Sequence, residues 1–238
     1  MAVLHYLPIV LIIVAGATLS IKAEKLTFSG AIAGAAVGLL VFAGGGYAGF
    51  IMLVAFFILG TVATSWKKQE KLRFKAKSDR SVKRNATQVL ANGGVAAILG
   101  LLALWMPHHG GLLRLMMAAA LSSATADTLS SELGMVYGRW FFNILTFRKD
   151  QKGLDGVISI SGILIGIAGS GLIAFIYSLS FGKQFWLIIL AGTIGNVADS
   201  ILGEKYERKG KIGNSTVNFL NTSITALAIW LCHALLRL

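Results

Sequence analysis

Apolar stretches close to twenty residues long recur from one end of this 238-residue chain to the other, and no other feature constrains its fold as much. A helix needs about 20 residues to cross the hydrocarbon core, where its backbone groups must be satisfied within the segment, so runs of this length become spanning helices. Eight can be drawn, at roughly 2–21, 27–43, 47–65, 89–106, 113–134, 157–178, 184–203 and 216–236. Charged residues make up only 13% of the chain, against about 25% in soluble domains. The expectation is an all-α, polytopic membrane helical bundle of about eight transmembrane helices, forming one domain over 1–238. The first segment lacks a basic leader and an A-x-A site, so it reads as a span and not a signal peptide. The 28 glycines suit helices whose backbones approach closely.

The loops give an orientation. Numbered in order, the odd loops carry nineteen Lys and Arg residues, and the even side carries Arg114, Lys183 and Arg237. Positive charge stays in the cytoplasm. This split therefore predicts a cell (inner) membrane protein with both termini outside and a site facing the cytoplasm. Nine of the nineteen lie in 66–88, a basic cytoplasmic loop. Its early part, Trp66 to Lys77, reads as a solvated linker or as a basic amphipathic helix lying on the membrane. The net charge of +12 then speaks for anionic lipid and not for nucleic acid. One cysteine, Cys232, excludes an internal disulfide, and the four histidines form no spaced metal pair.

Against that apolar background a few acids stand out, because an ionisable residue in a span costs about 2.5–3.5 kcal/mol on insertion scales. Asp127 and Glu132 lie in Ala126-Asp127-Thr128-Leu129-Ser130-Ser131-Glu132-Leu133-Gly134. Asp199 lies in Gly195-Asn196-Val197-Ala198-Asp199-Ser200-Ile201-Leu202-Gly203, and Asp155 sits at the mouth of a span. The two stretches resemble each other, as duplicated segments would. They occur near the cytoplasmic ends of spans five and seven, which run in the same direction, so the carboxylates share a depth. Three acids with no basic residue in those spans repel one another, and a bound cation or a retained proton relieves this. Asp127, Glu132, Asp199 and Asn196 are residue types that suit Mg²⁺, which takes oxygen ligands and completes its shell with phosphates. Packing acids, or a proton or Na⁺ pathway, are the alternatives.

Two rows of polar side chains join them. Arg84, Gln88 and Asn92 share one face as span four begins, and Asn214, Asn218 and Asn221 share one as span eight begins. Helix N-termini suit phosphate, although capping and interhelical hydrogen bonding also account for such rows. Loop five ends in Lys152-Gly153-Leu154-Asp155-Gly156, whose small residues let backbone approach an anion. No soluble nucleotide-binding fingerprint occurs.

The motifs Arg84-x-x-x-Gln88-Val89-Leu90-Ala91-Asn92-Gly93, Asp127-Thr128-x-x-Ser131-Glu132-Leu133-Gly134, Gly195-Asn196-x-x-Asp199-Ser200-x-x-Gly203 and Asn214-x-x-x-Asn218 resemble the integral membrane family that includes plant and cyanobacterial phytyl-phosphate kinase. The resemblance runs from about 80 to 225, with Gly156 followed by Val157 where the family pattern has a second glycine. It implies phosphoryl transfer from CTP to an isoprenyl monophosphate. On that resemblance Asp127, Glu132 and Asp199 are catalytic and hold Mg²⁺ with Asn196 and Asn218 assisting. Arg84, Gln88, Asn92, Asp155, Gly156, Lys205, Asn214 and Asn218 contact the nucleotide and phosphates. The implied partners are the lipid substrate, the nucleotide and anionic lipids, with a homo-oligomer left open. An ion-coupled secondary transporter, or a CTP-using lipid cytidylyltransferase, are the competing functions.

Overall fold

The computed structural model describes residues 2–74 and 83–236, with side chains from Tyr6 to Leu235 in the terminal helices. The part of the basic loop at 75–82 and the even-side Arg237 lie outside the described residues. Eight α-helices are described: α1 (Ala2–Lys22), α2 (Phe28–Ser65), α3 (Lys68–Leu72), α4 (Ala86–Trp105), α5 (Gly110–Tyr137), α6 (Ile160–Phe181), α7 (Phe185–Leu202) and α8 (Asn214–Leu236). A two-stranded antiparallel ribbon, β1 (Phe141–Asn143) and β2 (Val157–Ser159), lies between α5 and α6. The molecule is thus nearly all-α. Five helices are long and apolar enough to cross a membrane by length and composition: α2, α4, α6, α8 and α7 with its continuation to Glu207.

The 38 residues of α2 would run about 57 Å if straight, about twice the hydrocarbon thickness. They do not run straight. Gly46 takes φ 61° and ψ −157°, a conformation open in practice only to glycine, and the chain reverses there. Phe42 meets Tyr47 and Phe50 edge-on, with centroids 5.2 and 6.3 Å apart. The two ends of α2 consequently lie together: Gly30 packs on the Arg84 backbone and Gly60 on the Arg84 guanidinium. This is the pair of segments expected at 27–43 and 47–65, joined by one residue.

Glycine sets the spacing of the first half of α2 against α4. A β-carbon on Gly44 would fall 2.2 Å from the Gly100 carbonyl oxygen, so the two backbones touch. The α5 helix occupies the centre, packed against α2, α4, α6, α7 and α8. Its residues from Leu115 to Ala126 are buried without interruption. A helix enclosed on all sides need not be lipid-like, which is why α5, rich in Ala and Ser, is not among the five.

The four basic loops expected on one side do meet at one end of the bundle. Lys25 Nζ donates to Ser65 Oγ at 2.8 Å, Lys152 lies 4.5 Å from the Phe74 ring, and Arg208 pairs with Asp150. Backbone bonds from Thr27 N–H to Arg84 O (3.0 Å) and from Arg84 N–H to Lys25 O (2.9 Å) stitch loops one and three. Arg114, by contrast, packs on Phe181 at 5.3 Å at the opposite end. Within the early part of loop three, described as far as Phe74, the short α3 turns Lys71 inward, where the residue is 2% exposed and its side chain reaches α2 and α5.

Candidate functional site

Polar side chains collect at the end of the bundle where the basic loops converge, and helix direction explains how. α5 and α7 run parallel in register. Gly192 packs on Ser122, Gly195 on Ser123, and the same step brings Asp199 to Asp127. The two carboxyl groups lie close enough for each to perturb the other strongly. The equal depth expected of the two motifs is therefore realised. Asp199 lies three residues before the last residue of α7, about 5 Å along its axis.

The α8 helix supplies the donors. Asn221 Nδ2 donates to Asp199 Oδ1 at 2.6 Å, and Ser123 Oγ donates to Asn221 Oδ1 at 3.1 Å. The Asn218 amide has Asn92 Oδ1 and Asn214 Oδ1 each 3.4 Å away. Turned over, its nitrogen donates to Asp199 Oδ1 at 3.2 Å and to Asn214 O at 3.3 Å. Those contacts are shorter and include a carboxylate, so that orientation is the one assigned. Asn196 is buried one turn before Asp199 and packs its amide nitrogen against Gly166 of α6, beside Ala126 and Ser130.

Glu132 keeps different company. Lys71 Nζ donates to its Oε2 at 2.5 Å and to the carbonyls of Ala63 (2.7 Å) and Thr64 (3.0 Å). Three acceptors match the three ammonium donors, and the two carbonyls are those left open at the end of α2. The expectation of three acids lacking a basic partner is thus corrected: a loop lysine reaches in and takes Glu132. Arg84 sits nearby, stacked 6.0 Å from Phe56 and 3.4 Å from Thr64 Oγ1. Burial pushes its guanidinium pKa down, and the Glu132 charge opposes this.

The remaining expected residues divide. Gln88 and Asn85 form a capping box: Asn85 Oδ1 accepts from Gln88 N–H (3.0 Å) and Gln88 Oε1 from Asn85 N–H (3.1 Å). Asn92 donates back to Gln88 O at 2.9 Å. Asp155 stands close enough to Asp199 for their charges to repel. Gly156, at φ +74°, lets that loop press onto the end of α7, where a β-carbon would fall 2.3 Å from Glu204 Cβ. Its lack of a side chain serves that contact. Lys205 is exposed, with Nζ 5.4 Å from the Tyr206 ring, and Asn214 is exposed at the start of α8.

Two further groups belong here. Asn221 anchors Asp199, and its i+7 spacing from Asn214 already put it on the site face. Glu207 lies close enough to Asp127 to repel it. It is carried there by the π-helical turn Gly203–Glu207, which continues α7 and leaves no mark in residue type. Among the described residues no group of three or more His, Cys, Asp or Glu side chains is arranged to hold a metal ion. The site is therefore one carboxylate pair fed by amides, with a cation–carboxylate pair beside it.

Known proteins bear on this arrangement. The chain is 34% identical over 219 residues to an uncharacterised membrane protein of Methanocaldococcus jannaschii, covering 90% of this chain and 89% of that one. It is 29% identical over 212 residues to Protein VTE6, chloroplastic, of Arabidopsis thaliana, covering 85% of this chain but only 63% of VTE6. Protein PGR of the same plant is 30% identical over 217 residues, covering 80% and 75%. No solved structure matches. Residues 11–226, which include every motif residue above, match the family described as integral membrane protein DUF92. The family likeness carried by the motifs therefore holds, and this chain belongs to the DUF92 family of integral membrane proteins.

Proposed function

We propose that the chain is a membrane-embedded kinase that transfers the terminal phosphoryl group of CTP to an isoprenyl monophosphate, releasing CDP and the isoprenyl diphosphate. The observation that carries this reading is the meeting of Asp127 and Asp199 at the end of the bundle where the basic loops converge. Two carboxyl groups in contact need a proton or a cation between them. A pair of carboxylates that leaves the rest of the shell to phosphates and water is the donor set Mg²⁺ uses. Held by Asp127 and Asp199, Mg²⁺ would supply positive charge that offsets the charge of the phosphates. The chain's own groups do the rest. Asn221 and Asn218 fix Asp199, Asn196 packs behind it, and Arg84 with the basic loops draws anions to the opening. Glu132, tied to Lys71, holds the loop over the site. The motif resemblance to phytyl-phosphate kinases supplies the nucleotide and the substrate class.

In this reading α1, the two halves of α2, α4, α5, α6, α7 and α8 make eight crossings in a single domain. Both termini lie outside, and the 66–88 loop and the site face the cytoplasm.

The test is purified protein with radiolabelled CTP, Mg²⁺ and a set of isoprenyl monophosphates. Diphosphate product is expected, falling on the order of 10²–10³-fold in Asp127→Asn and Asp199→Asn. Full turnover in both variants refutes the assignment. A cytidine-bearing lipid with release of pyrophosphate identifies a cytidylyltransferase instead.

A further inference from the structure

On the far side of the α4–α8 contact from the carboxylate pair lies a groove of about 610 Å³, walled by the first half of α2, by α4 and by α8. It runs along α4 from Thr87 to Leu101, about 21 Å at the rise of a helix. Its floor is formed by Ala36, Ala91, Gly94 and Ala97, whose small side chains leave the space open. Its walls are Val37, Leu40, Ile98, Phe219 and Leu220. Polarity is confined to one end, where Thr87, Ser215 and Thr216 lie in the first turns of α4 and α8. That end adjoins the site: Asn92 lies between Ala91 and Gly94 on α4, Asn218 precedes Phe219 on α8, and their amides meet at 3.4 Å.

We propose that this groove receives the isoprenyl tail of the substrate and sets the tail length accepted, an inference that rests on the kinase reading. The occupant must be apolar over most of its length and anionic or strongly polar at the end beside Asn92 and Asn218. One isoprenyl chain with a phosphate head suits both the volume and the polarity. The tail leaves a bilayer that is itself apolar, so transfer into the groove gains only packing, and selection acts by excluding tails that collide with its deep end. Ile98 and Leu101 mark that end.

The experiment uses an isoprenyl monophosphate carrying a photoreactive diazirine at the tail tip, with the full-length protein in lipid nanodiscs. Cross-links are expected at Ile98 and Leu101, displaced by unlabelled isoprenyl monophosphate. Gly94→Leu fills the middle of the groove, and its β-carbon meets only Phe219 at 3.8 Å and Leu90 at 4.0 Å, so the backbone accommodates it. In that variant the ratio of kcat/KM for a long tail over a short one is expected to fall about tenfold, and the label to leave Leu101. Labelling scattered over lipid-facing helices, as with a photoreactive phosphatidylcholine, means bulk lipid only and overturns the groove whatever the turnover. Turnover with labels elsewhere discards the groove and keeps the kinase. Displaceable labelling at Ile98 and Leu101 without any turnover keeps the groove and discards the kinase.

Discussion

Asp127 and Glu132 are five residues apart on α5, the first half-buried and the second buried, and their surroundings differ in kind. Asp127 faces another acid, Asp199, with Glu207 and Glu132 adding like charge. Glu132 faces Lys71, whose ammonium is also bound by two carbonyls of α2. A carboxylate beside its counter-ion, with every donor used, is an arrangement that holds elements together. A carboxyl group pressed against a second one is costly to the fold unless something else occupies the space between them. One helix thus carries a joint and a site within two turns. The joint fastens α3, and with it the basic loop, to the helix that bears the site.

Removing each in turn separates the two roles. Lys71→Ala takes the Lys71 ammonium away from the buried Glu132, and breaking a buried pair in this way costs about 3–5 kcal/mol. Thermal unfolding in detergent should show this as the largest loss among single substitutions at this end of the molecule. Lys71→Met combined with Glu132→Leu should recover most of it, since neither charge then remains. Asp127→Asn should leave stability unchanged or raise it while lowering turnover on the order of 10²–10³-fold. Equal destabilisation by Lys71→Ala and Asp127→Asn would erase the distinction.

Part of this contrast was open to a reader of the sequence. A spacing of five on an α-helix turns side chains about 140° apart, so Asp127 and Glu132 could not share a face. Grouping them by depth alone missed that. The pairing of Asp127 with Asp199 was legible, because the two motifs match and their spans run parallel. The break in α2 was legible too, since one Gly46 between two apolar runs is enough to reverse the chain. Lys71 was not: it sits among eight other basic residues of 66–88, and nothing in residue type separates a buried lysine from its solvated neighbours. Gln88 was assigned to phosphate although Asn85-x-x-Gln88 ahead of an apolar run also spells a capping box, which is the role it takes. Glu207 depended on a π-helical turn, which is a property of packing.

A smaller effect tests whether the site's own geometry depends on its amides. Asn221 is 1% exposed and donates at 2.6 Å to Asp199 while accepting from Ser123. Asn221→Ala should lower turnover about 10–100-fold, the range for partners that orient a ligating carboxylate. The loss of its two buried bonds should also cost about 1–3 kcal/mol. Ser123→Ala, one step further from Asp199, should cost less turnover than Asn221→Ala. If Ser123→Ala matched it, the chain Ser123–Asn221–Asp199 would be packing alone, and the contrast with Lys71–Glu132 would weaken.

The smallest effect concerns a second cation–carboxylate joint, which differs from Lys71–Glu132 in lying at the surface. Arg208 Nη1 donates to Asp150 Oδ2 at 2.6 Å and to Glu204 Oε2 at 2.8 Å, tying the loop after β1 to the end of α7. The Arg208 hydrogen bond, helped by the Gln151 N–H, lowers the Asp150 pKa to about 2. Arg208 is correspondingly raised. A carboxylate near 3.9 when the loop is released and near 2 when it is docked stabilises docking fully above about pH 4, and the contribution is lost as pH falls toward 2. Amide hydrogen exchange over 141–157, corrected for intrinsic rate, should therefore rise with a midpoint between those values. In Arg208→Ala the midpoint should move up toward 4, while exchange around Lys71 and Glu132 stays unchanged. A midpoint that did not move would mean that the ribbon is held by its packing on α7, through Gly156 and Glu204, and that the surface joint adds nothing to it.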